Sequence, residues 1–234
     1  MIHCLHGAVG SFRDWLPLQA SLPIPVRALD LWRLLDGEPP DLAQAGRVIA
    51  ESASQGDLLL GYSLGGRLAL HALLAAPEKW RAAVIVSAHP GLTKGHEERL
   101  AADQKWGELA RQDWVGFLEK WNAQAILSSS VVGMTQATRD DQEEVARSFT
   151  YWSLGRQQDL RPQLPLVTCP VLWLTGEKDQ KFSALAVEAV DRLPLAHHQV
   201  LPGCGHRLPW EAPVPFLDAV ETFLSSIRIS QPTS

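Results

Sequence analysis

Residues 58–70, Leu-Leu-Leu-Gly-Tyr-Ser-Leu-Gly-Gly-Arg-Leu-Ala-Leu, constrain this chain more than any other stretch. An apolar run of strand length meets a serine set between two glycines, and an apolar helical pattern without proline follows at once. The stretch therefore reads as strand, sharp turn and helix. Gly61 and Gly65 fit the G-x-S-x-G pattern, in which a tight turn lifts the serine hydroxyl off the end of a buried strand and aims it at the start of the next helix. Small residues are needed there because strand and helix backbones nearly touch. The helix start supplies free N–H groups and partial positive charge. An anion forming beside Ser63 Oγ would thus be held by the backbone, notably by the N–H of Leu64.

Other segments supply what a nucleophilic serine needs. The opening Ile2-His3-Cys4-Leu5-His6-Gly7-Ala8 is a short apolar strand running into a small-residue loop, which can set the N–H of Ala8 opposite that of Leu64 as an oxyanion hole. Late in the chain, the sheet is expected to resume within the run Cys169 to Asp179, a strand followed by two acids, Glu177 and Asp179. An acid after a late strand suits the third member of a Ser, Asp, His triad, with Asp179 the better placed and Glu177 the runner-up. A last strand near His198 to Leu201 leads into Gly203-Cys204-Gly205-His206. A histidine on such a loop can swing over Ser63 and take its proton while Asp179 holds the other ring nitrogen.

The intervening pattern alternates strands and helices. A helix is expected from Phe12 to Ala20, a strand from Val26 to Asp30, a helix from Leu42 to Ser54 capped by Asp41, and a strand from Ala82 to Ser87. This spacing predicts a mostly parallel sheet with right-handed crossovers, whose ligands bind at the carboxyl ends of the strands. From Thr93 to about Leu160 the pattern is helical, with Trp106, Trp114, Phe117, Leu118 and Trp121 at helix-like spacing. We expect a helical cap over residues 92–160, inserted in a core made of residues 1–91 and 161–234. A final helix should span about Val214 to Ile227, with a frayed tail to Ser234.

Composition narrows the function classes. No apolar run among the 234 residues approaches membrane-spanning length, and the start shows neither a basic region nor a cleavage-site pattern. The three widely spaced cysteines suggest a reducing, cytoplasmic compartment and form no metal-ligand cluster. A net charge of −5 without a basic stripe argues against nucleic acid as a partner. Neither a metal nor a cofactor is implied, and nothing sets an oligomeric state. Nine tryptophans point to a large apolar pocket or cap.

The order of these motifs resembles the α/β-hydrolase fold over nearly the whole chain. That resemblance implies a sheet of about six strands flanked by helices, and it leaves the family's usual N-terminal hairpin without a counterpart before Ile2. The local wording is similar to the 2-succinyl-6-hydroxy-2,4-cyclohexadiene-1-carboxylate synthases of menaquinone biosynthesis. It is carried by Gly61 to Arg67, His89-Pro90-Gly91-Leu92, Glu98-Arg99 with Asp103 and Trp106, Trp121, Arg147, Gly176 to Phe182, and Gly205-His206 with Glu211 and Pro213.

The resemblance implies a lyase that removes a proton from a succinyl-bearing, enolpyruvyl-bearing cyclohexene carboxylate and expels pyruvate. The triad would then serve as a base. Arg67, Arg99, Trp121, Arg147 and Lys181 would hold this small polycarboxylate substrate, the cations through charge-assisted pairs. Two positions and one short stretch depart from the family's pattern. Asn122 stands where a tyrosine is usual, Pro209 where a second histidine is, and Ser148-Phe149-Thr150-Tyr151-Trp152 replaces an Asn-rich stretch. The rival reading is a carboxylesterase or thioesterase that forms an acyl-enzyme on Ser63.

Overall fold

The computed structural model describes residues 1–22, 24–127 and 137–229, with residues 228 and 229 described by their backbone only. Its elements run β1 (Ile2–Leu5), α1 (Leu16–Gln19), β2 (Val26–Leu29), α2 (Leu42–Glu51), β3 (Asp57–Tyr62), α3 (Leu64–Ala75) and β4 (Trp80–Val86). The helices α4 (His96–Gln112), α5 (Trp114–Asn122) and α6 (Gln142–Tyr151) follow. The chain then forms β5 (Val171–Gly176), α7 (Gln180–Val190), β6 (Ala196–Leu201), α8 (Leu208–Glu211) and α9 (Pro213–Ile229).

Every strand is linked to the next by a crossover, so the six strands pair in parallel, in the order β2-β1-β3-β4-β5-β6. The inner strands β3 and β5 are buried along their whole length, which matches their continuous apolar runs. The edge strands β2 and β6 are only half-buried and carry polar residues such as Arg27 and His197. Alternation sorts the side chains. Leu59, Ile85 and Trp173 pack in a core with residues of α2, α3 and α7, whereas Leu58, Leu60, Tyr62, Val84 and Leu174 pack with Trp15, Phe216 and Val220 in another.

Winding reverses at β1. The chain first adds β2 on one side of it and then returns to add β3 on the other, so the carboxyl ends of β1 and β3 border the crevice where ligands bind in such sheets. Asp41 caps α2 as expected, through a reciprocal pair of hydrogen bonds with Gln44 at 2.7 and 2.8 Å. That helix ends at Glu51 rather than Ser54, and the predicted first helix divides into a 3₁₀ turn (Phe12–Trp15) and α1.

The described part of residues 92–160 contains helices and no strand. It is held together by aromatic contacts among Trp106, Trp114, Phe117, Trp121 and Phe149, with ring centroids 5.3–6.0 Å apart. Backbone bonds tie it to the strand ends, Ala137 N–H to Val9 at 3.0 Å and Leu160 N–H to Pro90 at 2.8 Å. No helix among the described residues is long and apolar enough to cross a membrane. The predicted tail beyond Ile229 lies outside the described residues.

Candidate active site

The turn after β3 is built by exclusion. A Cβ at Gly61 would fall into the backbone of Gly65, and one at Gly65 into the carbonyl of Leu5 at the end of β1. With only hydrogen at both positions, α3 starts directly against β1 and β3. Ser63 between them takes φ 51° and ψ −110°, a left-handed conformation that a serine adopts only when its surroundings impose it. Leu64 is the first residue of α3, so its N–H has no acceptor within the helix.

His206 meets this serine from the loop after β6. Its Nε2 lies 3.2 Å from Ser63 Oγ, and its Nδ1 lies 2.7 Å from Asp179 Oδ2. Both His206 and Asp179 are buried, so water competes little for these bonds. Asp179 also accepts the Phe182 N–H at the start of α7, and the Phe182 ring packs on His206 with centroids 4.5 Å apart. Glu211 fixes the histidine loop by accepting the N–H groups of Gly205 at 2.6 Å and Arg207 at 3.1 Å. Glu177 turns elsewhere. Its carboxylate accepts the Gly203 N–H at 2.9 Å on the surface, so of the two acids after β5 only Asp179 reaches the histidine.

The loop after β1 is shaped by His6. Its Nε2 accepts the Leu31 N–H at 3.1 Å, which leaves Nδ1–H to donate to the Gly7 carbonyl at 3.0 Å. Burial pushes this imidazole down to about 4, so it stays neutral. Ala8, carried on that loop, lines the same cavity as Ser63 and Leu64.

That cavity encloses about 350 Å³. Ser63 and His206 lie on one side, and Trp121, Ile126, Phe149, Trp152 and Leu154 form an apolar wall from the helical segment. Arg67, Arg99, Lys181 and Arg207 bring positive charge to it. Arg99 is paired with Asp103 at 2.9 Å, and Lys181 extends over the Phe182 ring. Arg67 is 9% exposed, donates through Nε to Gln157 Oε1, and leaves its buried Nη2 without a partner among the described residues. Burial, reinforced by nearby Arg99, lowers this guanidinium to about 9.

Of the ten residues expected at the site from sequence, nine gather around this cavity or its hydrogen-bond chain: Ser63, Asp179, His206, Ala8, Leu64, Arg67, Arg99, Trp121 and Lys181. Arg147 does not. Its Nη2 donates to the Gly37 carbonyl at 2.6 Å in the loop after β2, and although the adjacent Ser148 and Phe149 line the cavity, Arg147 does not.

Sequence reasoning gave no role to Gln157 or Arg207. Gln157 belongs to no motif, and Arg207 is marked only by following His206. Two departures find their reasons here. Asn122 accepts from Arg207 Nη2 at 2.7 Å, and Pro209 sits in the first turn of α8, where a missing N–H costs nothing.

A sequence model described as "Alpha/beta hydrolase family" matches residues 4–219. The chain is 31% identical over 244 residues to 2-succinyl-6-hydroxy-2,4-cyclohexadiene-1-carboxylate synthase of Pectobacterium atrosepticum, covering 95% of this chain and 92% of that one. Among solved structures, MenH from S. aureus superposes with a TM-score of 0.84 at 20% identity, covering 97% of this chain and 94% of its own. A thermophilic esterase from Thermogutta terrifontis superposes with a TM-score of 0.75 at 17% identity, covering 97% and 89%. At those identities the two structures speak for the fold alone.

Proposed function

The chain belongs to the alpha/beta hydrolase family, and on that premise we propose that it is a lyase. In this reading it eliminates pyruvate from 2-succinyl-5-enolpyruvyl-6-hydroxy-3-cyclohexene-1-carboxylate to give 2-succinyl-6-hydroxy-2,4-cyclohexadiene-1-carboxylate. The observation that carries it is Arg67. Guanidinium buried without a carboxylate partner is costly, and here it lines the cavity that also holds Ser63, as expected of a site built for an anionic ligand. The kinship with the Pectobacterium synthase supports the same reaction.

The chemistry follows from the hydrogen-bond chain. His206 Nε2 takes the Ser63 proton while Asp179 stabilises the imidazolium through Nδ1–H. The Ser63 oxygen then removes a proton from carbon, and the electron pair released moves into the conjugated carbonyl system. As a new ring double bond forms, the bond between the ring carbon and the enolpyruvyl oxygen breaks, and the proton is returned to the departing pyruvate. No acyl-enzyme is required. The N–H groups of Ala8 and Leu64 face the negative charge that develops, and Arg67, Arg99 and Lys181 hold the carboxylates. Residues 92–160 act as the cap that excludes water from these steps.

The test is pyruvate release from enzymatically prepared substrate, with wild type compared against Ser63→Ala. Rapid release that the substitution lowers at least ~10²-fold is expected of a serine base. Release no faster than in buffer sinks the lyase reading. One observation keeps an esterase or thioesterase as the second reading, namely the apolar wall of Trp121, Ile126, Phe149 and Trp152, which suits an acyl chain. Turnover of neutral esters without pyruvate release would select it.

A further inference from the structure

We propose that Gln157 is a positioning residue that orients Arg67 without neutralising it, and so sets the cavity's affinity for a carboxylate. The inference rests on the reading of the cavity as a carboxylate site. It concerns a residue of no recognised motif.

Gln157 directly follows the 3₁₀ turn Leu154–Arg156, near the end of the helical segment, and is 1% exposed. Its two amide atoms do different work. Oε1 accepts from Arg67 Nε, and Nε2 donates to the His89 carbonyl at 3.2 Å. The second bond removes ambiguity from the first, because an amide that must donate at one end can only accept at the other. The His89 end is itself fixed. The His89 Nδ1 accepts the Gly91 N–H at 3.1 Å, and Arg161 Nη1 donates to the Gly91 carbonyl at 3.2 Å. A chain of bonds thus runs from the junction at residues 89–91 through Gln157 to Arg67.

A guanidinium is planar, and holding Nε fixes the plane while leaving the two Nη atoms to face outward. Arg67 lines the cavity, and its Nη2 is buried and unpartnered among the described residues. No ion pair to Arg67 exists among those residues. Arg99 is the internal control. It is held by the carboxylate of Asp103, which cancels much of its charge. Were residue 157 an acid, Arg67 would be satisfied in the same way and its pull on an anion lost. Were it apolar, Nε would be left unpaired and the fork free to rotate. A neutral acceptor is the side chain that supplies direction and keeps the charge.

The experiment compares wild type, Gln157→Glu and Gln157→Met by titration calorimetry with succinate and with its neutral dimethyl ester, alongside KM, kcat and thermal midpoint. Gln157→Glu should weaken succinate binding by ~30-fold or more, and Gln157→Met by ~5- to 10-fold, with the neutral ester little changed. In pyruvate release, Gln157→Glu should raise KM more than it lowers kcat. Succinate affinity within 2-fold of wild type in both variants would overturn the proposal. So would a loss of thermal midpoint and kcat in both variants without a change in the preference for succinate over the ester. Wild type that binds succinate no better than the ester would overturn the carboxylate reading and this inference together. If only the variants fail to shift, that reading stands and Gln157 alone is misassigned.

Discussion

The sheet end and the helical segment reach the same cavity, but they hold their side chains by opposite means. Ser63 stands on a turn that directly continues β3, where backbone exclusion leaves it little freedom, and Asp179 and His206 stand on the loops after β5 and β6, which the bare Cα of Gly176 lets pack against each other. Their bonds link each to the next, from 3.2 Å at Ser63 to a 2.7 Å contact between buried His206 and Asp179. The cations are placed by the hydrogen-bond partners of their own long side chains instead. Arg99 follows Asp103, Arg147 follows the Gly37 carbonyl, and Arg67, although it grows from α3 one turn beyond Ser63, takes its direction from Gln157. Geometry that a backbone turn imposes survives changes elsewhere. Geometry that one distant partner imposes can be redirected by a single substitution.

The largest effect should come from the rigid side of this comparison. Asp179→Asn keeps the shape but removes the acceptor that holds the His206 tautomer, so turnover should fall about 10³- to 10⁴-fold while the thermal midpoint stays near wild type. A loss below about 10-fold, measured in steady-state assays, would break the claim that the hydrogen-bond chain governs the chemistry.

On the adjustable side, Arg99→Ala should act mainly on KM, raising it about 10- to 100-fold for a polycarboxylate while hydrolysis of a neutral ester changes little. Arg147→Ala should change either assay less than about 2-fold, because its partner is the Gly37 carbonyl. Equal losses from the two arginine variants would erase the distinction drawn between them.

Acid provides the mildest probe. Burial lowers His6 and His71 to about 4 and His89 to about 3, so the folded chain keeps them neutral below the ordinary imidazole value of 6.5. As pH falls below 6.5 the unfolded chain takes up these protons first, and the stability present above 6.5 is lost progressively toward 4 and then 3. Asp57 adds a later loss, because bonds from His3, the Ser54 N–H and the chain's amino group hold it at about 2. Its contribution is present above the ordinary carboxylate value and disappears as pH falls through 2. Urea midpoints measured from pH 7 to 4 should therefore decline steadily. A flat profile would show that the buried imidazoles do not stay neutral.

Several of these features were legible without a structure. The G-x-S-x-G turn, the His-Gly loop and the acid and histidine after late strands are local patterns. Each is dictated by what a backbone must do within a few residues, and so spacing reveals it. The parallel sheet was legible for the same reason, since apolar runs alternating with helical periodicity leave few topologies. Arg147 was not, because the direction of a long flexible side chain depends on whichever carbonyl or carboxylate the fold brings near it. Gln157 was invisible. It lies 90 residues from Arg67 along the chain, and nothing in its own neighbourhood marks it.

The sequence by itself determined the strand-turn-helix around Ser63, the order of the three polar side chains and the doubly wound sheet that carries them. Those follow from short-range sterics and from periodicity. Tertiary structure decided which of two acids meets the histidine, which side chain Asn122 bonds, and that Arg99 rather than Arg67 pairs with a carboxylate among the described residues. Those outcomes depend on partners from distant segments, and hydrogen bonds between such partners become specific only when folding has fixed both ends.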